Sequence, residues 1–175
     1  MAVLPMRYFP DPVLREPTQR VGSVDDDVRK LIADMAETME DVGYGIGLAA
    51  PQVGVQRRVL VYDIGDGLHA LVDPEIYERE GSQTDEEGCL SIPGIAFPVE
   101  RALTIRVRGL DADGRPLDAE VSELEARVIQ HEVDHLDGVL FIDRLDREVR
   151  REAMRILRER ALGGGGTVPG AAPRM

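Results

Sequence analysis

Apolar residues recur at helical spacing from Val28 through Leu31, Ile32, Met35, Met39 and Val42, until Gly43 breaks the pattern. Ser23, Asp25 and Asp26 stand just before this run, where side-chain oxygens cap a helix start and negative charge is favoured. The pattern predicts an amphipathic helix, preceded over residues 1–22 by an extended, turn-laden stretch rich in proline and arginine. From Gly54 to about Leu117 the period shortens. "RRVLVYDI", "HALVDPEIY" and "ALTIRVRGL" read as strands, and "DADGRP" as a hairpin turn, which points to mostly antiparallel sheet. A second helix is expected from Ser122, with Ser122 and Glu125 as a capping box, to about Leu136, ending near Gly138. A third begins with Asp146 as N-cap and turns Val149, Ala153, Ile156 and Leu157 inward. The fold class is therefore α+β, with mostly antiparallel sheets around a buried helix in the C-terminal half, an N-terminal amphipathic helix and a final C-terminal helix.

Composition narrows this picture. A chain of 175 residues that is 43% hydrophobic has enough material for one core, and residues 1–162 read as a single domain. Residues 163–175, "GGGGTVPGAAPRM", bury too little to fold and are expected to form a glycine-rich disordered tail. No apolar run approaches the ~18 residues of a membrane span. The opening "MAVLPMRYFPDP" lacks the basic patch and apolar core of a signal or transit peptide. One cysteine cannot form an internal disulfide, which fits a reducing, cytoplasmic setting. A net charge of −12 argues against direct DNA binding.

The chemistry concentrates in "QHEVDHLDG", residues 130–138, which holds two of the three histidines. At about 100° per residue, His131 and His135 fall about 40° apart, so both imidazoles can reach one ion. Glu132 and Asp134 flank that pair symmetrically, and Leu124 and Val128 lie on the histidine face. Ile129, Val133 and Leu136 cover the back, so the helix is apolar nearly all round and should be buried. Two imidazoles and two carboxylates do not enter a core without partners. HExxH spacing is that of zinc-type sites with a glutamate base, but helical geometry alone leaves Glu132 and Asp134 equal candidates for the base. A catalytic site needs a third protein ligand. Cys89, in "EEGCLSIPG", sits in a tight glycine- and proline-bounded context, and a thiolate with two imidazoles suits zinc or ferrous iron.

"GIGLAAPQ" (45–52), "EGCLS" (87–91) and "QHEVDHLDG" (130–138) resemble, in order and spacing, the three signature motifs of the peptide deformylases. The likeness extends from "YFPDPVLR" to "GVLFIDRL" and fails only in the tail. It implies Cys89, His131 and His135 as ligands of one divalent metal ion, Fe2+ in the cell, with Zn2+, Ni2+ or Co2+ able to replace it in a purified sample. It also implies Glu132 as the general acid/base, and Gln52 and the backbone N–H of Leu90 as donors to the developing oxyanion. Gly45, Ile46 and Gly47 become the strip that pairs with the substrate backbone, and Glu87, Leu124 and Val128 parts of the side-chain pocket. Asp134 is left as a supporting residue, and Arg101 as a partner for a carboxylate near the metal helix. Asp73, where many relatives have asparagine, reads as a surface-turn change.

The implied reaction is hydrolysis of the N-formyl group from the formylmethionine of newly made polypeptides, releasing formate. The implied partners are those N-formylmethionyl nascent peptides and, through the last helix, the ribosome. That helix carries six arginines (147, 150, 151, 155, 158, 160) against four acids (146, 148, 152, 159). A metallopeptidase using HExxH and a metal-binding protein without turnover are the rival readings.

Overall fold

The structure, a computed structural model, describes residues 2–43 and 45–162. Among these the chain runs α1 (Asp26–Val42), β1 (Gly47–Ala49), β2 (Val59–Tyr62), β3 (His69–Glu80), β4 (Gln83–Cys89), β5 (Ile92–Arg101), β6 (Thr104–Leu110), β7 (Pro116–Ser122), α2 (Glu123–Leu136) and α3 (Arg147–Leu162). Five strands form an antiparallel sheet in the order β1-β2-β3-β6-β7, and β4 pairs with β5 as a separate hairpin. The α+β class read from the sequence is the one observed. The glycine-rich tail lies outside the described residues.

Every residue of β2 is buried, because helices cover both faces of the sheet there. Successive strand side chains point to opposite faces. Val59 and Val61 join Val28, Leu31, Ile32 and Met35 of α1, while Leu60 and Tyr62 join Ala126, Val128 and Ile129 of α2. β3 continues the alternation, with Ala70 and Val72 toward α1 and Leu71 toward α2. A third apolar cluster ties the β4–β5 hairpin, through Ile92, Ile95 and Val99, to Leu140, Phe141, Ile142 and Ala153 of α3.

Two of the three expected helix starts form as read. Asp25 accepts from the Val28 N–H at 2.9 Å, and Gly43, at φ 78°, ends α1 in the left-handed conformation. Asp146 accepts from the Glu148 and Val149 N–H groups at 2.9 and 3.0 Å. The capping box on α2 does not form. Ser122 is still part of the β6–β7 ladder, and its hydroxyl pairs with Thr104 at 2.9 Å. Glu125 instead accepts from the Tyr62 hydroxyl at 2.7 Å, tying α2 to β2. Asp73 is not a surface-turn residue either. It sits at a register break within β3, at φ 53°, and its carboxylate accepts from the Val21 and Gly22 N–H groups at 2.8 Å each.

Candidate metal centre

α2 runs between the five-stranded sheet and the hairpin, and every residue from Ala126 to Leu136 is buried. That placement turns His131 and His135, one turn apart, toward the end of β4. Cys89 is the last residue of β4, where the ladder with β5 loses register after Gly88. The bend brings its sulfur 3.2 Å from Nε2 of His135. Ligand atoms of Cys89, His131 and His135 lie within 4.8 Å of one another, and all three residues are buried.

These residues fit a divalent ion by their chemistry as well as their spacing. The Nδ1 of His131 is 3.0 Å from Glu87 Oε2, which leaves Nε2 as its free donor atom. A histidine ligand whose second nitrogen is held by a carboxylate is the usual arrangement around such metals. Burial and the neighbouring His131 push the His135 pKa well down, keeping it in the neutral form that binds metal. At His131 burial also opposes charge, but its contacts with Cys89 and Glu87 outweigh it and raise the pKa.

Glu132 is buried next to this triad. Its Oε2 has no hydrogen-bond partner, and burial pushes its pKa up to about 7, with Glu87 and Asp134 adding to the rise and His131 and Arg101 opposing it. Its other oxygen lies against Gly47, so closely that a Cβ there would collide with the carboxylate. Gln52 is fixed by an N–H from Ala49 to its Oε1 at 2.8 Å, and its Nε2 reaches Ser91 Oγ at 3.3 Å and Cys89 Sγ at 3.7 Å. Leu90 packs onto Gly45, where an added Cβ would come within 2.6 Å of its Cδ1. Gly45, Ile46 and Gly47 lead into β1, one of the two edge strands of the sheet.

The structure thus brings together Cys89, His131, His135, Glu132, Gln52, Leu90 and the Gly45–Gly47 strip. Leu124, one turn before Val128, is 39% exposed, whereas Val128 is closed into the core against the sheet. Glu87 requires a correction. Expected in the pocket wall, its carboxylate is fully buried and faces Arg101, Arg127 and His131. Burial opposes its charge, but Arg101 and His131 hold it well below the usual carboxylate range. Arg101 does pair with carboxylates beside the metal helix, joining Glu87 to Asp134 at 2.9 and 2.5 Å. Sequence reasoning missed Arg127 and Arg144. The signal for Arg127 was available: it precedes His131 by one turn on a helix expected to be buried, so its charge needed an acidic partner.

An α+β scaffold that sets a buried cysteine and two histidines, able to hold a metal ion, beside a carboxylate with a free oxygen and a strand edge has the makings of a hydrolase. The polypeptide deformylase family matches residues 3–151. The peptide deformylase of Acidothermus cellulolyticus is 51% identical over 164 residues, covering 94% of this chain and 91% of the relative. That of Alkalilimnicola ehrlichii is 49% identical over 174 residues, covering 95% and 97%. Among solved structures, the peptide deformylase of Thermus thermophilus superposes with a TM-score of 0.86 at 39% identity, covering 92% of this chain and 96% of that one. The Ehrlichia chaffeensis enzyme in complex with actinonin gives 0.85 at 34%, covering 91% and 98%. The chain belongs to the polypeptide deformylase family and is a hydrolase; membership supports removal of the N-formyl group from newly made peptides. No helix among the described residues is long and apolar enough to cross a membrane.

Proposed function

We propose that this chain hydrolyses the formamide of N-formylmethionyl nascent peptides to formate and a free amino terminus, in the cytoplasm, using one divalent ion held by Cys89, His131 and His135. Ferrous iron is the cellular ion in this reading, and zinc, nickel or cobalt would fit the same donors. The observation that carries it is Glu132: a buried carboxylate with a free Oε2, beside the triad and against the glycine strip.

When bound, the ion supplies the Lewis acidity that activates water near neutral pH. Glu132 takes the water proton at its carboxylate and returns it to the leaving amine nitrogen, its free Oε2 being the acceptor. Gln52 Nε2 and the Leu90 N–H donate to the oxyanion that develops on the formyl oxygen, a stabilisation of about 3–4 kcal/mol for such donors. Gly45, Ile46 and Gly47 pair with the substrate as an added strand along the free edge of β1. Leu124, partly exposed on the histidine face of α2, borders the methionine side chain, and Val128 backs it from within the core. Glu87 acts from behind the pocket, by holding His131.

The ribosome is the proposed partner of α3. Arg147, Arg151 and Arg158 share one exposed face of that helix, and phosphate-rich surfaces attract such a stripe. The reaction is tested by incubating the metal-reconstituted chain with a formyl-Met-Ala-Ser peptide. Formate with an otherwise intact peptide is expected, and internal peptide cleavage without formate would favour a metallopeptidase.

A further inference from the structure

Asp134, beside His135, belongs to a ladder of alternating charge that the reaction does not use directly. From the surface inward the ladder runs Arg144, Asp134, Arg101, Glu87 and His131. Arg144 donates Nε to Asp134 Oδ2 at 3.1 Å and Nη2 to Oδ1 at 2.7 Å. Arg101 donates Nη1 to the same Oδ2 at 2.5 Å and grips Glu87 through Nε and Nη2 at 2.9 Å each. Glu87 Oε2, one of the oxygens Arg101 holds, is the atom that faces His131 Nδ1. The inner four groups are buried, while the Arg144 side chain is 48% exposed. Arg144 lines a cleft of about 590 Å³ on the opposite side of α2 from the histidines, together with Arg101, Gln130 and Asp134.

The geometry points to Arg144 as a positioning residue for the metal centre, acting through Asp134, Arg101 and Glu87 on the His131 ring. Asp134 Oδ2 is shared between two guanidiniums, so each limits how far the carboxylate draws the other. Without Arg144, Asp134 is answered by Arg101 alone and pulls that guanidinium away from Glu87. Glu87 then directs more of its charge to the His131 N–H, and an imidazole held by a stronger acceptor is a stronger donor at its other nitrogen. Arg127 does not cancel the effect, because it donates to Oε1 of Glu87, at 2.7 Å, and not to the oxygen facing His131. A plain surface ion pair would add a little stability and leave the metal centre untouched.

The test compares Arg144→Met and Arg144→Lys in the cobalt-loaded full chain, with Arg106→Met, in an exposed pair with Glu120 on the sheet, as control. The readouts are the cobalt visible absorption, the rate of cobalt loss to a chelator, and kcat and KM on a formyl-Met peptide. Arg144→Met is expected to shift the absorption and to slow both cobalt loss and kcat by roughly threefold to tenfold, less than the 10–100-fold typical of a direct outer partner because three side chains intervene. KM should stay within about twofold, Arg144→Lys should recover part of the effect, and Arg106→Met should match the unmodified chain. An unchanged spectrum, or unchanged or faster cobalt loss, overturns the proposal. This inference rests on the metal reading of the triad, yet it is separable from the reaction. A chain that released no formate would sink the deformylase reading, while the cobalt readouts would still decide the role of Arg144.

Discussion

Gly47 carries no side chain because the Glu132 carboxylate occupies the space a Cβ would need. Gly47→Ala should therefore leave the chain folded and displace the base, and a misplacement near 1 Å can cost about 10²-fold in rate. Steady-state kinetics on a formyl-Met peptide checks this, and an unchanged kcat would show that Glu132 is not held where the reaction needs it. Helical angles leave Glu132 and Asp134 tied, and the family resemblance chooses Glu132. The structure supplies a physical difference: Asp134 is saturated by Arg101 and Arg144, whereas Glu132 keeps a free oxygen. Glu87 escapes a sequence-based assignment because nearness to Cys89 along the chain does not say which way a side chain points. Strand alternation helps here, since Glu87 and Cys89, two apart on β4, share a face.

At the scale of elements, the helices are legible because their apolar faces repeat every three or four residues, and β2 and β3 because their runs are apolar. The β4–β5 hairpin is not, since β4 has no apolar run: Thr84, Asp85 and Glu86 are exposed and only its last three residues are buried. The closing of the N-terminal segment over the end of α2 is equally hidden. Gly138 has no room for a Cβ because the Arg15 carbonyl would lie 2.6 Å away, and Thr18 donates its N–H and its hydroxyl to the Leu136 carbonyl, each at 2.8 Å. Arg15 and Asp143 pin this junction, and Asp143 also accepts from the Leu140 N–H at 3.0 Å. Partial burial opposes the Asp143 charge, but Arg15 and the Leu140 N–H outweigh it and lower its pKa. A carboxylate depressed on folding stabilises fully above its unfolded pKa, ~3.9, and loses that contribution as pH falls further. Asp143→Asn should cost roughly 1 kcal/mol at pH 7 and flatten the loss of stability below about pH 4. Urea unfolding at several pH values measures both, and a parallel offset at every pH would contradict the assignment.

For the whole molecule, charge is divided unevenly: the chain carries −12 overall, yet one face of α3 is basic. Removing α3 would be a poor test of ribosome docking, because Ala153 is fully buried and Leu157 and Ile156 pack on the hairpin cluster. Reversing Arg147, Arg151 and Arg158 to glutamate leaves that packing intact. It should weaken ribosome co-sedimentation at least about tenfold at low salt, given the salt-linked strength of phosphate contacts, and spare peptide turnover. Equal sedimentation would remove α3 as the docking element. The central claim, that one metal held by Cys89, His131 and His135 works with Glu132 to release formate, is tested most directly by one anaerobic measurement. Formate and bound metal are quantified together for the unmodified chain and for Glu132→Gln after iron reconstitution. The account predicts about one metal per chain in both, with formate release slowed about 10²–10⁴-fold in the variant. Full activity in a metal-loaded Glu132→Gln chain, or formate release without bound metal, would contradict it.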